Sequence, residues 1–181
     1  MEYRQTIVLK DGRTCVIRNG VAEDGEAVLR NFVLNHAQTD YLTTYPDEIA
    51  FTVAQEEKYL QSKTDSPDEA ELVAEVDGVI VGQAGIARVG RADKVKHRAT
   101  FGISVDINCW HLGIGRALTR ACIELAKQAG YLQLELEAVA DNAKALALYE
   151  SEGFAEYGRN PKGFRSRLTG WQALVYMRRE L

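Results

Sequence analysis

The chain has 181 residues, 46% hydrophobic and 27% charged, enough for one buried core and too mixed for a disordered segment. A net charge of −4 with acids and bases interspersed gives no nucleic-acid footprint and mildly favours a cationic small partner. No apolar run reaches the roughly 18 residues of a membrane span, the N-terminus lacks a signal peptide's apolar stretch, and Cys15, Cys109 and Cys122 are too few and scattered for disulfides or a zinc site, so a single cytoplasmic domain with free thiols and no metal is expected.

The first predicted strand is Thr14 to Arg18, followed by Asn19-Gly20 and a helix from about Ala22 with Val28, Leu29, Phe32 and Val33 as its apolar stripe. Thr52 to Gln55 has the spacing of a capping box and starts a second helix running to about Ser62. Glu71 to Val76 and Val79 to Val89 are β-branched runs joined by Asp77-Gly78, a hairpin signal. A third antiparallel strand is placed at Ala99 to Val105. A helix then carries Ile114, Ala117, Leu118, Ala121 and Leu125 on one face and stops at Gly130. Tyr131 to Val139 alternates Leu132, Leu134, Leu136 and Ala138 against Gln133, Glu135 and Glu137, and the intervening helix makes it parallel to its predecessor. A fourth helix runs from a cap at Asp141 or Asn142 to near Gly153. Phe154 to Tyr157 and Trp171 to Met177 close the sheet, with a basic loop from Gly158 to Gly170 between them. The class is α/β, antiparallel first and parallel in the middle.

Two stretches carry chemistry. Between Val105 and Leu118 a strand passes into a helix through a turn holding Gly113 and Gly115, and a helix start offers unpaired N–H groups and a positive dipole to a diphosphate. The same pattern opens a dinucleotide fingerprint, with Glu135 about 20 residues on for a ribose, although Leu118 stands where a third glycine belongs. Further on, Asn142, Ala145 and Tyr149 share related faces of one helix. A plain cap and a core tyrosine are the structural alternative.

Together, Trp110-His-Leu-Gly113-Ile-Gly115-Arg-Ala117 and Asn142-x-x-Ala145-x-x-Leu148-Tyr149-x-x-x-Gly153-Phe154 resemble the GNAT superfamily of acyl-CoA-dependent N-acyltransferases. The resemblance covers about residues 14 to 179 and is closest to its bacterial amino-acid and small-amine N-acetyltransferases. It implies a mixed six- to seven-stranded sheet flanked by about four helices, with the central parallel pair splayed to admit CoA. The implied cofactor contacts are Ile103, Ser104 and Val105 along the pantetheine arm, Trp110, His111, Leu112, Gly113, Ile114, Gly115, Arg116 and Ala117 at the pyrophosphate, and Asn142, Ala145, Leu148 and Tyr149 on the fourth helix. Trp110 replaces the family's usual Arg or Gln, at little cost because the backbone does the binding.

The implied reaction moves an acetyl group from acetyl-CoA to a primary amine of a small molecule or peptide. Tyr149 suits the acid role, since a phenol of pKa about 10 stays protonated and can donate to a thiolate whose acid has a pKa of about 8.5. The base is open: related sequences often carry a carboxylate where Thr100 stands, leaving Glu137, His97 or a water chain. Tyr41 and Tyr45 fall where the family builds its acceptor pocket. Arg159, Lys162, Arg165 and Arg167 form a basic loop for a phosphate, an acidic substrate or a second subunit, or merely a solvated surface. Cys109 is either a lowered-pKa thiol at a helix start or a small buried side chain. A homodimer is common in the family. The rival function is a protein that keeps the acyl-CoA slot without turnover, for which the missing acid at Thr100 is the best support.

Overall fold

In the computed structural model, which describes residues 1–181, eight strands form one sheet in the order β1-β2-β3-β4-β5-β6-β8-β7. The strands are β1 (Arg4–Val8), β2 (Thr14–Asn19), β3 (Ala70–Val76), β4 (Val79–Arg88), β5 (Arg98–Val105), β6 (Gln133–Val139), β7 (Ala155–Ser166) and β8 (Gly170–Glu180). The helices are α1 (Gly25–Gln38), α2 (Val53–Thr64), α3 (Ile114–Gln128) and α4 (Ala143–Ser151). All neighbouring strands are antiparallel except β5 and β6. The mixed sheet, its antiparallel start and its central parallel pair are those predicted, but the six or seven strands become eight. The addition is β1, a short edge strand, largely exposed and so without alternating apolar residues. No helix is long and apolar enough to cross a membrane.

The sheet has a core on each face. On the α3–α4 face Ile114, Leu118, Ala121 and Leu125 are buried against Leu72, Phe101, Leu134 and Met177, each large side chain contributing about 2 kcal/mol of apolar burial. On the α1–α2 face a smaller cluster joins Val28, Leu60, Val73 and Ile80. The hairpin turn is as read, Asp77 (φ 51) and Gly78 (φ 77) both taking the positive φ of a type I′ turn. The capping box forms too: Gln55 N–H donates to Thr52 Oγ1 at 3.3 Å, and Thr52 N–H to Gln55 Oε1 at 2.9 Å.

Three readings need correction. Ala22–Asp24 is a single 3-10 turn before α1, and the buried face of α1 is Val28, Asn31, Asn35 and His36, while Leu29, Phe32 and Val33 are only half-buried. On β6, Leu132 is 59% exposed because it precedes the strand, and Glu135 is buried because Arg98 pairs with it. The basic loop is mostly strand: β7 absorbs Gly158, Pro161 and Gly163 through two register shifts, leaving only Arg167 to Thr169 as the turn. As an edge strand, β7 tolerates the proline.

Candidate functional site

The sheet opens at its one parallel junction. β5 and β6 pair only at Arg98–Gln133, Ala99–Leu134 and Thr100–Glu135, although β5 continues to Val105 and β6 to Val139. Arg98 closes the narrow end with two bonds to Glu135, at 2.5 and 2.7 Å. That pairing takes up the carboxylate a dinucleotide site would aim at a ribose. Val89 N–H donates to Arg98 O, so the even residues of β5 address β4 and the odd ones address β6. Once β6 departs, the peptide groups of Ile103 and the N–H of Val105 face the gap without a strand partner. The carbonyl of Val105 accepts from Trp110 Nε1 at 2.7 Å, so the tryptophan steadies the end of β5.

The turn after β5 leaves an uninterrupted row of donors. Cys109 and Trp110 N–H groups bond to Asp106 O (2.8 Å) and Ile107 O (3.2 Å), and the next amide to find an acceptor is Ala117, on Gly113 O at 3.1 Å. The six amides between, from His111 to Arg116, have no acceptor in the chain. His111 (φ 64) and Gly113 (φ 106) bend the backbone into this shape. A Cβ on Gly113 would meet nothing within 4 Å and one on Gly115 only Leu148 at 3.5 Å, so packing does not exclude side chains there. The turn is bare ground, sited where an anion can reach main-chain amides.

A cavity of about 850 Å³ runs from this turn along the gap to α4. It brings together Ile103, Ser104, Val105, Trp110, His111, Gly113, Gly115, Arg116, Asn142, Ala145, Leu148 and Tyr149, along with Glu137 and Tyr41. Leu112, Ile114 and Ala117 do not line it: Ile114 is in the core, and Leu112 and Ala117 pack against it. Lys10 and Lys144 do line it and were not foreseen; Lys144 Nζ lies 3.3 Å from His111 Nε2. Arg116 is held by Glu152, whose other oxygen takes Arg120 at 2.9 Å. Asn142 caps α4 by accepting from Ala145 N–H at 3.3 Å.

The Tyr149 ring is buried, edge-on to Phe101 and Phe154 at 6.1 and 6.0 Å, and its hydroxyl has no bond within the chain. Burial pushes the phenol up to about 12. His97 stands at the far end of β5, where its carbonyl accepts from Leu132 and Gln133, and it does not reach the cavity. Tyr45 lies outside as well: its hydroxyl donates to Asp40 at 3.2 Å and accepts from Arg167 N–H at 2.7 Å. Of the basic residues, Arg159 pairs with Glu156, Lys162 and Arg165 lie over Trp171, and Arg167 pairs with Asp47. None of them lines the cavity. Cys109 is buried and its thiol is raised by that burial, which fits the small buried side chain rather than a thiolate.

A second cavity, of about 490 Å³, lies on the α1–α2 face and shares Leu42, Thr43, Thr100, Gly102, Ile103 and Ser104 with the first. Leu29, Phe32 and Phe51 give it apolar walls, and its polar lining includes His36, Glu56, Tyr59, Glu71 and Gln83. Tyr59 O–H donates to Glu71 Oε2 at 3.2 Å. Burial pushes the Glu71 carboxyl up to about 7, against the pull of the Tyr59 bond and with a further push from Glu56. Sequence reasoning passes over Glu71, since an acid at the start of a strand reads as solvated. Its setting is made by α2, which reaches it only in the folded chain.

A family model for the acetyltransferase (GNAT) family matches residues 31–154. The L-amino acid N-acetyltransferase AaaT of Escherichia coli is 31% identical over 150 residues, covering 81% of this chain and 86% of that protein. An acetyltransferase of GNAT family from Streptococcus pneumoniae superposes with a TM-score of 0.87 at 24% identity, over 92% of this chain and 99% of that one. YncA of Salmonella typhimurium, a putative acetyltransferase solved with its cofactor acetyl-CoA, gives 0.80 at 20% identity, over 92% and 94%.

Proposed function

The chain belongs to the acetyltransferase (GNAT) family and is an N-acetyltransferase, and we propose that it transfers the acetyl group of acetyl-CoA to a primary amine of a small molecule or peptide by direct attack in a ternary complex. The observation that carries the donor half is the run of six unpaired amides from His111 to Arg116 beside the open edge of β5. A diphosphate suits the first, and an amide-bearing arm suits the second, as an added strand would. Lys10 and Lys144 add positive charge at the same mouth.

In this reading the Ile103 N–H polarises the thioester carbonyl, a contribution of about 3 kcal/mol for one well-placed donor. Tyr149 donates its proton to the departing sulfur. A phenol raised by burial is protonated throughout the neutral range, as the role requires. Mixing the protein with acetyl-CoA and an amine panel while following free thiol tests the proposal. Thiol release that depends on an amine is the expected result. Thermal stabilisation by CoA with no thiol from any acceptor would instead identify a binding protein, and stabilisation by NAD but not CoA would revive the dinucleotide reading.

A further inference from the structure

Resting on the acetyl-transfer reading, we propose that Glu71 is the catalytic base: it takes the proton of the incoming amine in the second cavity, across the sheet from Tyr149. The register aligns Glu71 of β3, Gly85 of β4 and Gly102 of β5 in one row. A Cβ on Gly85 would fall 2.1 Å from Glu71 Oε2, so the carboxylate lies across β4. One strand further, a Cβ on Gly102 would meet nothing within 4 Å. With strands about 4.8 Å apart, the carboxylate sits roughly one spacing from the empty ground over Gly102, within reach of an ammonium placed there. Beside Gly102 on its other flank lies the gap where β6 has left β5. An amine on that spot touches the base on one side and the thioester on the other.

A second observation marks this cavity as built for a ligand. Gln83 is 7% exposed, its Nε2 is fully buried without a partner, and its amide makes no bond in the chain. An unpaired buried donor forfeits its hydration without replacement, a cost that a ligand oxygen beside the amine would offset. With Leu29, Phe32 and Phe51 around it, the acceptor that fits is an apolar primary amine bearing such an oxygen. The titratable groups facing Glu71 are Glu56, Lys63 and the neutral phenol of Tyr59 from α2, with His36 of α1 on the same cavity; β4 and β5 present no charge there. Lys63 is committed to Glu69 at 3.0 Å, so no free cation holds Glu71 ionised. The carboxyl of about 7 is therefore suited to accept a proton near neutrality.

The steps balance. The ammonium gives a proton to Glu71, the freed nitrogen lone pair attacks the thioester carbon, the C–S bond breaks and sulfur takes the Tyr149 proton. The acetylated nitrogen returns its second proton to the phenolate, and Glu71 releases its own to water. Glu137 is the competing carboxylate: continuing the ladder past Thr100–Glu135 would set it opposite Gly102, but it is exposed on β6.

The test follows initial rates of thiol release against pH with acetyl-CoA and L-phenylalaninamide, phenethylamine or L-phenylalanine, using whichever turns over fastest. Glu71→Gln is expected to lower kcat/KM by about 10²-fold and to remove the acid limb near pH 7, with the CoA dissociation constant unchanged. Glu137→Gln keeps the limb. An unmoved limb in Glu71→Gln, or one lost in Glu137→Gln, overturns the assignment. If Glu71→Gln fails to fold, judged by lost CoA binding, Tyr59→Phe decides: removing a bond that lowers the carboxyl must move the limb upward, and a stationary limb refutes the proposal. A wild-type protein that releases no thiol with any amine defeats the acetyl-transfer premise itself.

Discussion

Replacing Tyr149 by Phe separates chemistry from folding unusually well. The ring keeps its contacts with Phe101 and Phe154, and the lost hydroxyl has no partner in the chain, so stability at neutral pH should move by less than about 0.5 kcal/mol. CoA affinity should hold, because the amide row lies on another element. Turnover should fall by about 10²–10⁴, the usual share of a positioned acid. A second signature appears in alkali. The phenol rises from 10.0 to about 12 on folding, so the stability tied to its neutral form is complete below the unfolded value and is lost as pH climbs through that interval. The loss amounts to about 2–3 kcal/mol and should be missing in Tyr149→Phe. Thiol release, calorimetry with CoA and alkaline melting curves read the three effects. Unchanged turnover would remove Tyr149 from the reaction, and identical alkaline melts would refute the burial argument.

Three further outcomes are expected. Gly113→Ala forces a side chain onto φ 106 with no steric neighbour, which should cost about 1–2 kcal/mol in denaturant unfolding and weaken CoA binding. Arg98→Leu leaves the buried Glu135 carboxylate unpaired, and a loss of about 1–3 kcal/mol of unfolding free energy, read from denaturant titration, should follow. Burial raises the Glu152 carboxyl, but Arg120 and Arg116 lower it by more, so the pair's stability is present above the ordinary carboxylate range and fades as pH drops through the folded value. Acid melts of Glu152→Gln should be flatter than those of wild type; equal slopes would contradict the assignment.

Legibility in the sequence followed the range of the interactions. The Asp77-Gly78 turn, the Thr52 capping box and the stripe of α3 were readable because each is settled within a few residues. So were the bare turn at Gly113 and the place of Tyr149, which rest on a local motif. Strand β1 and the extended β7 were not, since their pairing energy comes from distant partners and their own residues are exposed or turn-like. Lys10 reaches the cavity from a hairpin about a hundred positions before α3, and no local pattern announces it. Glu71 needed the register itself: only the alignment with Gly85 and Gly102 reveals what an unremarkable acid is next to.

The short β5–β6 ladder has a mechanical meaning. With three residue pairs across its middle, the sheet is a pair of plates hinged at Arg98 and Glu135, five strands on one side and three on the other. Whatever lies along the free edge of β5 stitches the plates together, so amide exchange should slow when CoA is added not only in β6, which lines the gap, but also in β7 beyond it. The enzyme would then be stiffest when loaded and loosest as products depart.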